Sequence, residues 1–299
     1  MDNFVLILVA ITIGYGINRL NIFSKEAPII LNQFVIYISL PAMVLLQIPK
    51  LTFSVDTIIP IVVAWAVIII SAILVLLLSR LFAFSREVTG SLMLVATLSN
   101  SSFLGIPIIN AYMGEDSLPY VLVYDQLGNS IAVATYGTFI ASYYSNKSKT
   151  GFKIIFLKIL TFPPFISLIV ALFLMGVEFN DTITKVLTNF ANTIVPLALV
   201  AVGLQLQFRL PKEDLKPFSV ALVVKLILAP IIAILVCKLF GWNNQAAIVS
   251  IMEAGMASMI TAGVIASMTG LAPRLSTAIV GYGIIISFFT TAVLFKIIG

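Results

Sequence analysis

The chain alternates between long apolar stretches and short polar connections. A window of about 19 residues places ten apolar stretches, each long enough to cross the hydrocarbon core of a bilayer as a helix. The stretches cover residues 3–20, 28–48, 57–80, 88–113, 118–143, 154–176, 183–206, 217–240, 245–269 and 274–297. This pattern predicts an all-α integral membrane protein with ten transmembrane helices.

The fourth stretch is interrupted at its centre by a polar, helix-breaking run: Ser99-Asn100-Ser101-Ser102-Phe103-Leu104-Gly105-Ile106-Pro107. Proline removes a backbone hydrogen bond, and the freed groups are tolerated in a membrane only inside protein or beside a watery cavity. Broken helices at the bilayer midplane are typical of the binding sites of transporters. The helix that begins near Pro107 would direct N–H groups at an anion, and the carbonyls near Ser99 would suit a cation.

Composition excludes several other functions. Hydrophobic residues make up 61% of the chain, charged residues 10%, and the mean hydropathy is +1.15, which leaves little polar surface for a soluble domain. The chain has no histidine and one cysteine, Cys237, which argues against histidine catalysis, a His/Cys zinc site and an internal disulfide. An enzyme is therefore not expected, and no cofactor is predicted beyond a sodium ion or a proton.

The distribution of positive charge predicts the orientation. Of the 17 lysines and arginines, Lys225 lies within the eighth stretch and four fall on one side of the membrane: Lys50, Lys185, Lys238 and Lys296. The other twelve fall in the opposite connections. Because basic residues concentrate in cytoplasmic loops, both termini are predicted to lie outside a plasma (inner) membrane. The net charge of +5 then reflects topology, and no nucleic-acid partner is predicted.

A polar connection at residues 144–151 divides the ten stretches into five and five. An odd number in each half means that the second half enters the membrane inverted, which predicts repeats at 1–145 and 146–299. Similar short sequences, Leu31-Asn-Gln-Phe34 before Pro41 and Leu187-Thr-Asn-Phe190 before Pro196, agree with this division. Stretches four and nine would then be equivalent.

The ninth stretch carries Glu253, Gly255 and Gly263 near its centre, although it has no proline. A charged side chain at a helix centre costs roughly 2.5 to 3.5 kcal/mol on insertion scales. Glu253 therefore needs a partner or a proton. Lys225, in contrast, is interpreted as a snorkelling or helix-pairing lysine rather than a substrate ligand.

The segment from Asn100 to Gly114 resembles the fourth-span motif of the auxin efflux carrier family, in which Gly-x-Pro begins five residues after an asparagine. The resemblance extends to Gly14-Tyr15, Arg19, Leu40-Pro41 and residues 125–129. It implies ten helices in an inverted 5+5 repeat, with spans four and nine broken and crossing. It also implies a scaffold of spans 1, 2, 6 and 7 and a mobile transport unit of spans 3–5 and 8–10.

Span nine departs from that family, which usually has a proline about where Ala257 stands. Its Glu253-x-Gly255 instead resembles the related bile acid/sodium symporter family, where the glutamate is a sodium ligand. A Ser-Asn pair of the fourth span also binds sodium there, and Ser99-Asn100 is its counterpart. A proton on Glu253, a sodium ion beside it and uncoupled transport all stay open.

Two sets of candidate residues follow. The predicted substrate-binding residues are Asn100, Ser101, Ser102, Gly105, Pro107, Gln126, Asn129 and Ser258. The predicted residues for cation or proton coupling are Ser99, Asn100, Asp125, Ser130, Glu253 and Met256. Helical spacing places Asp125 with Asn129, and Gln126 with Ser130, on two neighbouring faces of span five.

The resulting hypothesis is a secondary transporter that moves a small organic anion by alternating access of the elevator type. The resemblance favours a carboxylate, as in a malate permease. The alternatives are a sodium-coupled symporter of bile-acid-like acids and, from another class, a membrane channel or ligand sensor. The expected partners are the lipid bilayer, the anion and a second copy of the chain joined through the scaffold helices.

Overall fold

A computed structural model describes residues 2–24, 26–50, 55–145, 161, 163–205 and 212–298. The chain is all-helical over these ranges, where the only strand-like pairing is one isolated antiparallel bridge between Ser99 and Ser258. The prediction of an all-α membrane protein is thereby confirmed. Residues 146–151 of the polar connection, and the first residues of predicted span six, lie outside the described ranges.

Among the described residues, five helices are long and apolar enough to cross a membrane. They are Ala27–Gln47, Asp56–Leu81, Asp181–Leu204, Leu215–Leu239 and Pro273–Ile298, which correspond to predicted spans two, three, seven, eight and ten. In the helix Asp56–Leu81, the side chains of Ile69, Ile73 and Leu77 are exposed and recur every four residues. This spacing places the three side chains on one helix face, as expected for a surface against lipid.

The helical segments are shorter than the predicted spans because several spans are interrupted. The α-helices of the described residues, in chain order, are α1 Asp2–Leu20, α2 Ala27–Phe34, α3 Leu40–Gln47, α4 Val55–Leu81, α5 Arg86–Val95, α6 Ile106–Met113, α7 Leu118–Val123, α8 Thr138–Tyr144, α9 Pro163–Phe173, α10 Asp181–Ala191, α11 Ile194–Gln205, α12 Leu215–Val223, α13 Ala229–Leu239, α14 Gln245–Ala254, α15 Ile260–Met268 and α16 Pro273–Ile298. Within the same ranges, five π-helical segments lie beside some of these helices: Val35–Ser39, Ser101–Gly105, Tyr124–Ser130, Val133–Gly137 and Val224–Leu228. Such segments are rare and are frequently found at functional sites.

The chain forms two compact units. Unit 1 comprises Met1–Ser54, Ser102–Leu122 and Lys158–Leu206, and unit 2 comprises Val55–Ser101, Val123–Leu157 and Gln207–Gly299. These units are groups of packed residues, whereas the predicted inverted repeats are halves of the sequence. The repeats stay a prediction.

Unit 1 is built on a close contact between α1 and α11. A Cβ atom added to Gly14 would meet the carbonyl oxygen of Val200 and would lie 3.0 Å from the Cα atom of Gly203. Gly203 is equally crowded by the backbone of α1. Lipid provides no hydrophobic force to hold membrane helices together, so their association depends on close packing. Small residues at the contact allow the two backbones to approach closely.

The Gly14→Ala variant is therefore expected to lower the free energy of unfolding by about 1–3 kcal/mol, the usual cost of overpacking. Gly16→Ala is the matched control in the same helix, because an added Cβ there meets nothing within 4 Å. Thermal unfolding of both variants in detergent tests this. Equal melting temperatures would contradict the backbone contact.

In unit 2, α4 packs against α13, α14 and the π-helical segment Tyr124–Ser130. A Cβ atom added to Gly128 would lie 2.5 Å from that of Ala64, so the segment lies very close to α4. The indole nitrogen of Trp65 donates to the carbonyl oxygen of Leu127 at 3.0 Å. The polar residues of this segment are thus held against a long, apolar helix.

Two short helices of unit 2, α5 and α14, begin at polar caps. The side-chain oxygens of Ser85 and Asn244 accept from the amides of Val88 and Ala247 at 3.3 and 3.1 Å. Each cap satisfies one of the unpaired amides at a helix start. Both helices are 10 residues long and end in buried surroundings, at Val95 and Ala254.

Candidate functional site

The chain segments that follow α5 and α14 meet inside unit 2. The amide of Asn100 donates to the carbonyl oxygen of Ala257, and the amide of Met259 donates to that of Leu98, both at 2.9 Å. We call residues 98–100 and 257–259 the polar junction. Because helix breaks leave backbone groups unpaired and lipid offers them no partner, this reciprocal pairing allows both breaks to be buried.

Side chains from the π-helical segment Tyr124–Ser130 secure one side of the junction. The Ser101 hydroxyl donates to Oδ1 of Asp125 at 2.5 Å and accepts from Nδ2 of Asn129 at 2.9 Å. Oδ1 of Asn129 accepts from the Ser99 amide at 3.4 Å, and Nε2 of Gln126 donates to Oδ2 of Asp125 at 2.7 Å. Hydrogen bonds to a carboxylate are stronger than neutral ones, so this network fixes the junction on the segment.

Lys225 secures the other side. Its Nζ donates to the Ser99 hydroxyl at 2.6 Å and to the carbonyl oxygen of Ala254, the last residue of α14, at 2.8 Å. The side chain is fully buried, with 0% of its surface exposed. The interpretation of Lys225 as a snorkelling lysine is therefore wrong, because its ammonium group bonds two interrupted segments inside the unit. The helix-pairing interpretation describes it correctly.

Several buried polar atoms at or near the junction have no hydrogen-bond partner among the described residues. They are both carboxyl oxygens of Glu253, Nδ2 of Asn100, Oε1 of Gln126 and Oγ of Ser258. An unpaired buried donor or acceptor costs about 1–3 kcal/mol, and a charged one costs more. Native proteins rarely keep such groups without a purpose, so these atoms are candidates to bind a ligand or a proton.

The structure brings most of the predicted residues together in unit 2. Ser99, Asn100 and Ser258 lie in the junction, and Ser101, Asp125, Gln126 and Asn129 form the network beside it. Glu253 is fully buried and lies within electrostatic range of Asp125 and Lys225. Asp125 is fully buried as well.

The remaining predicted residues lie outside the polar junction and its hydrogen-bond network. Met256 is buried in the turn after α14, where its amide donates to the Glu253 carbonyl oxygen at 3.2 Å. Ser130 is half-buried at the end of its π-helical segment. Ser102, Gly105 and Pro107 belong to unit 1, and Pro107 lies in the first turn of α6.

Pro107 lines a cavity of about 380 Å³ that lies within unit 1. Its polar wall comes from α3, α6 and α10 and from the residues that follow α6 and α10: Gln47, Asn110, Glu115, Thr184, Thr188 and Asn192. Its apolar wall includes Met43, Leu46 and Val195. The volume lies in the range of small-molecule sites, as does the combination of apolar walls with a few polar groups.

Sequence reasoning missed the polar wall of this cavity and the hydrogen-bond partners of Lys225. A signal for the wall was present, since Thr184, Thr188 and Asn192 recur every four residues in the first half of predicted span seven. The signal for Lys225 was its isolation within the eighth stretch, because ionisable residues inside membranes usually have functional partners. Neither pattern identifies the groups that these side chains contact.

Comparisons with known proteins agree with the geometry. The family model described as "Membrane transport protein" matches residues 1–295. An uncharacterized transporter of Methanocaldococcus jannaschii is 28% identical over 267 residues, which cover 86% of this chain and 85% of the relative. An uncharacterized transporter of Methanothermobacter thermautotrophicus is 24% identical over 270 residues, 87% of this chain and 85% of the relative. The resemblance found in the fourth span is confirmed.

Proposed function

Because the chain belongs to the membrane transport protein family, of the auxin efflux carrier type, we propose that it is a secondary transporter of a small organic anion. The observation that carries this proposal is the polar junction, where two helical segments are interrupted and where several buried polar side chains have no partner within the described part of the chain. Irregular backbone of this kind in membrane proteins is typical of transporter binding sites.

The proposed architecture has ten spans in an inverted 5+5 repeat in the inner membrane, with both termini outside and spans four and nine crossing at the polar junction. Spans 1, 2, 6 and 7 would form the scaffold, through which two copies of the chain could pair. The transport unit of spans 3–5 and 8–10 would move against this scaffold as an elevator. Support comes from the paired helix breaks after α5 and α14 and from the bonds that fasten them to neighbouring segments of unit 2.

The proposed substrate class follows from the polar and apolar groups of these two regions. Nδ2 of the Asn100 side chain, in unit 2, is a buried donor with no partner among the described residues. Within unit 1, hydroxyl and amide groups and the carboxyl group of Glu115 line one wall of the cavity, and apolar side chains line another. A short carboxylate, with a charged group and a small carbon skeleton, matches this chemistry.

For coupling, we favour a proton carried by Glu253. A carboxylate buried without donors is very costly, and a proton removes that charge. The sodium-coupled alternative keeps one observation in its favour, since two free carboxyl oxygens would also suit a hard cation.

The test of the proposed function is uptake into liposomes that contain the purified chain. A thermal-shift screen of mono- and dicarboxylates first selects ligands that raise the melting temperature, because binding to the native state stabilises it. We expect uptake of a selected anion to saturate and to accelerate when the same anion is present inside. A flux that rises linearly with concentration, without acceleration by internal anion, would instead indicate a channel.

A further inference from the structure

A groove of about 440 Å³ lies on the surface of unit 2, between α13 and α16. Pro230 and Leu294 are buried at its floor, whereas Ile231, Phe289 and Val293 are exposed along its rims. Both helices belong to segments that are apolar enough to cross a membrane, so in a bilayer the groove opens toward lipid. An occupant of the groove must therefore offer an apolar chain.

The two helices run in the same direction along the groove. Near the beginning of the two membrane-crossing segments, the rings of Phe218 and Tyr282 pack edge to face with centroids 5.5 Å apart. Further along, by the same number of residues in each segment, a Cβ atom added to Gly255 would lie 3.6 Å from Pro230 and 2.8 Å from Leu294. The C-terminal ends of α13 and α16 therefore lie at the same end of the groove.

Each helix carries an exposed lysine in its last turn, at this end of the groove. Lys238 follows Ile231 by seven residues in α13, and Lys296 follows Phe289 by seven residues in α16. Seven residues are about two helical turns, so each lysine shares a helix face with a rim residue. Lysine stems can lie along apolar surface while the ammonium group reaches the headgroup region. Both rims of the groove thus end in a positive charge.

The chain after Lys238 is typical of a membrane interface. The rings of Phe240 and Trp242 stack with centroids 4.6 Å apart, and the Trp242 amide donates to the carbonyl oxygen of Cys237 at 2.8 Å. Tryptophan is enriched where the hydrocarbon core meets the headgroups. This end of the groove is therefore at the depth of lipid phosphates.

From this combination, we propose that the groove binds an acyl chain of an anionic phospholipid, whose phosphate contacts Lys238 and Lys296. The acyl chain matches the apolar lining, and the phosphate matches the two ammonium groups. Basic groups beside clefts between membrane helices attract anionic headgroups in this way. The bound lipid bridges α13 and α16 and stabilises unit 2. This inference goes beyond the proposed function and requires no transported anion.

The inference is tested by melting temperatures of the purified protein in a neutral detergent, with phosphatidylglycerol or phosphatidylcholine of the same acyl chains. We expect phosphatidylglycerol to raise the melting temperature of the wild type above its value in phosphatidylcholine, on the order of a few degrees. Lys238→Ala and Lys296→Ala, singly and together, should reduce this difference. Val293→Trp, which places an indole over the groove, should reduce the stabilisation by phosphatidylglycerol. Glycerol phosphate, which lacks the acyl chains, should have no effect.

Two variants outside the groove are the matched controls. Lys185→Ala removes an exposed lysine of unit 1, and Ile73→Trp adds the same bulk to an exposed position of α4, which does not line the groove. Both should keep the wild-type preference for phosphatidylglycerol.

The inference is overturned if the wild type shows no such preference, if the double lysine variant keeps it in full, or if glycerol phosphate stabilises the wild type equally. A melting temperature that depends on protein concentration and not on lipid would assign the groove to a second copy of the chain, which also overturns it. Should Val293→Trp fail to fold, the lysine variants decide, because they change only exposed side chains. Since this readout needs no substrate, it is independent of the uptake test of the proposed function.

Discussion

Replacing Asn100 by leucine is expected to reduce transport about 10- to 100-fold while the protein stays folded. Nδ2 of Asn100 is buried and has no partner among the described residues, so its removal breaks no internal hydrogen bond of that atom. A hydrogen bond to a charged ligand is worth about 1.5–3 kcal/mol, which corresponds to this loss of affinity. Transport should therefore fall without a matching loss of stability.

The measurement pairs initial uptake rates in liposomes with the melting temperature of the same preparation. Asn32→Leu is the matched control, because the side-chain Oδ1 of Asn32 in α2 is also buried with no partner among the described residues, and Asn32 lies outside the polar junction. It should transport at close to the wild-type rate. A fully active Asn100→Leu variant would contradict a role of Asn100 in binding the anion.

Exchanging Glu253 for glutamine is expected to abolish the response of uptake to a proton gradient. If each anion moves with one proton, a gradient of one pH unit is worth about 1.4 kcal/mol, or roughly tenfold in accumulation. Glutamine keeps the shape of the side chain but cannot carry the exchangeable proton. The charged groups around it, Asp125 and Lys225, are unchanged.

Accumulation in proteoliposomes with and without an inward proton gradient checks this expectation. Glu87→Gln is the control, since Glu87 lies exposed in the first turn of α5. The control should accumulate the anion as the wild type does. If Glu253→Gln still follows the proton gradient, another group carries the proton or transport is coupled differently.

Much of the architecture could be predicted from the sequence. Long apolar runs have few stable forms in a bilayer, because every backbone group must be satisfied internally, and helices achieve this locally. The five long helices were therefore foreseeable from hydropathy alone. The break after α5 was foreseeable too, because serines, an asparagine, a glycine and a proline interrupt span four at its centre.

The break in span nine was harder to predict. Residues 255–259 lack a proline, and Glu253 and Gly255 indicated the region without showing how the chain would leave the helix. In the structure, α14 ends at Ala254, and Ala257 and Met259 pair with the backbone beside Ser99. This partner lies more than 150 residues away in the sequence. No local pattern encodes such a pairing.

The sequence by itself determined that this protein is a helical membrane protein of a transporter family, since hydropathy, the run at residues 99–107 and the fourth-span motif depend only on local order. Only the tertiary structure decided which polar groups are satisfied. It showed that Lys225 bonds Ser99 and Ala254 and that the carboxyl oxygens of Glu253 have no donor among the described residues. The reason is physical: the cost of burying a polar group depends on the atoms within about 3 Å of it. In this chain, those atoms come from helices that the sequence keeps far apart.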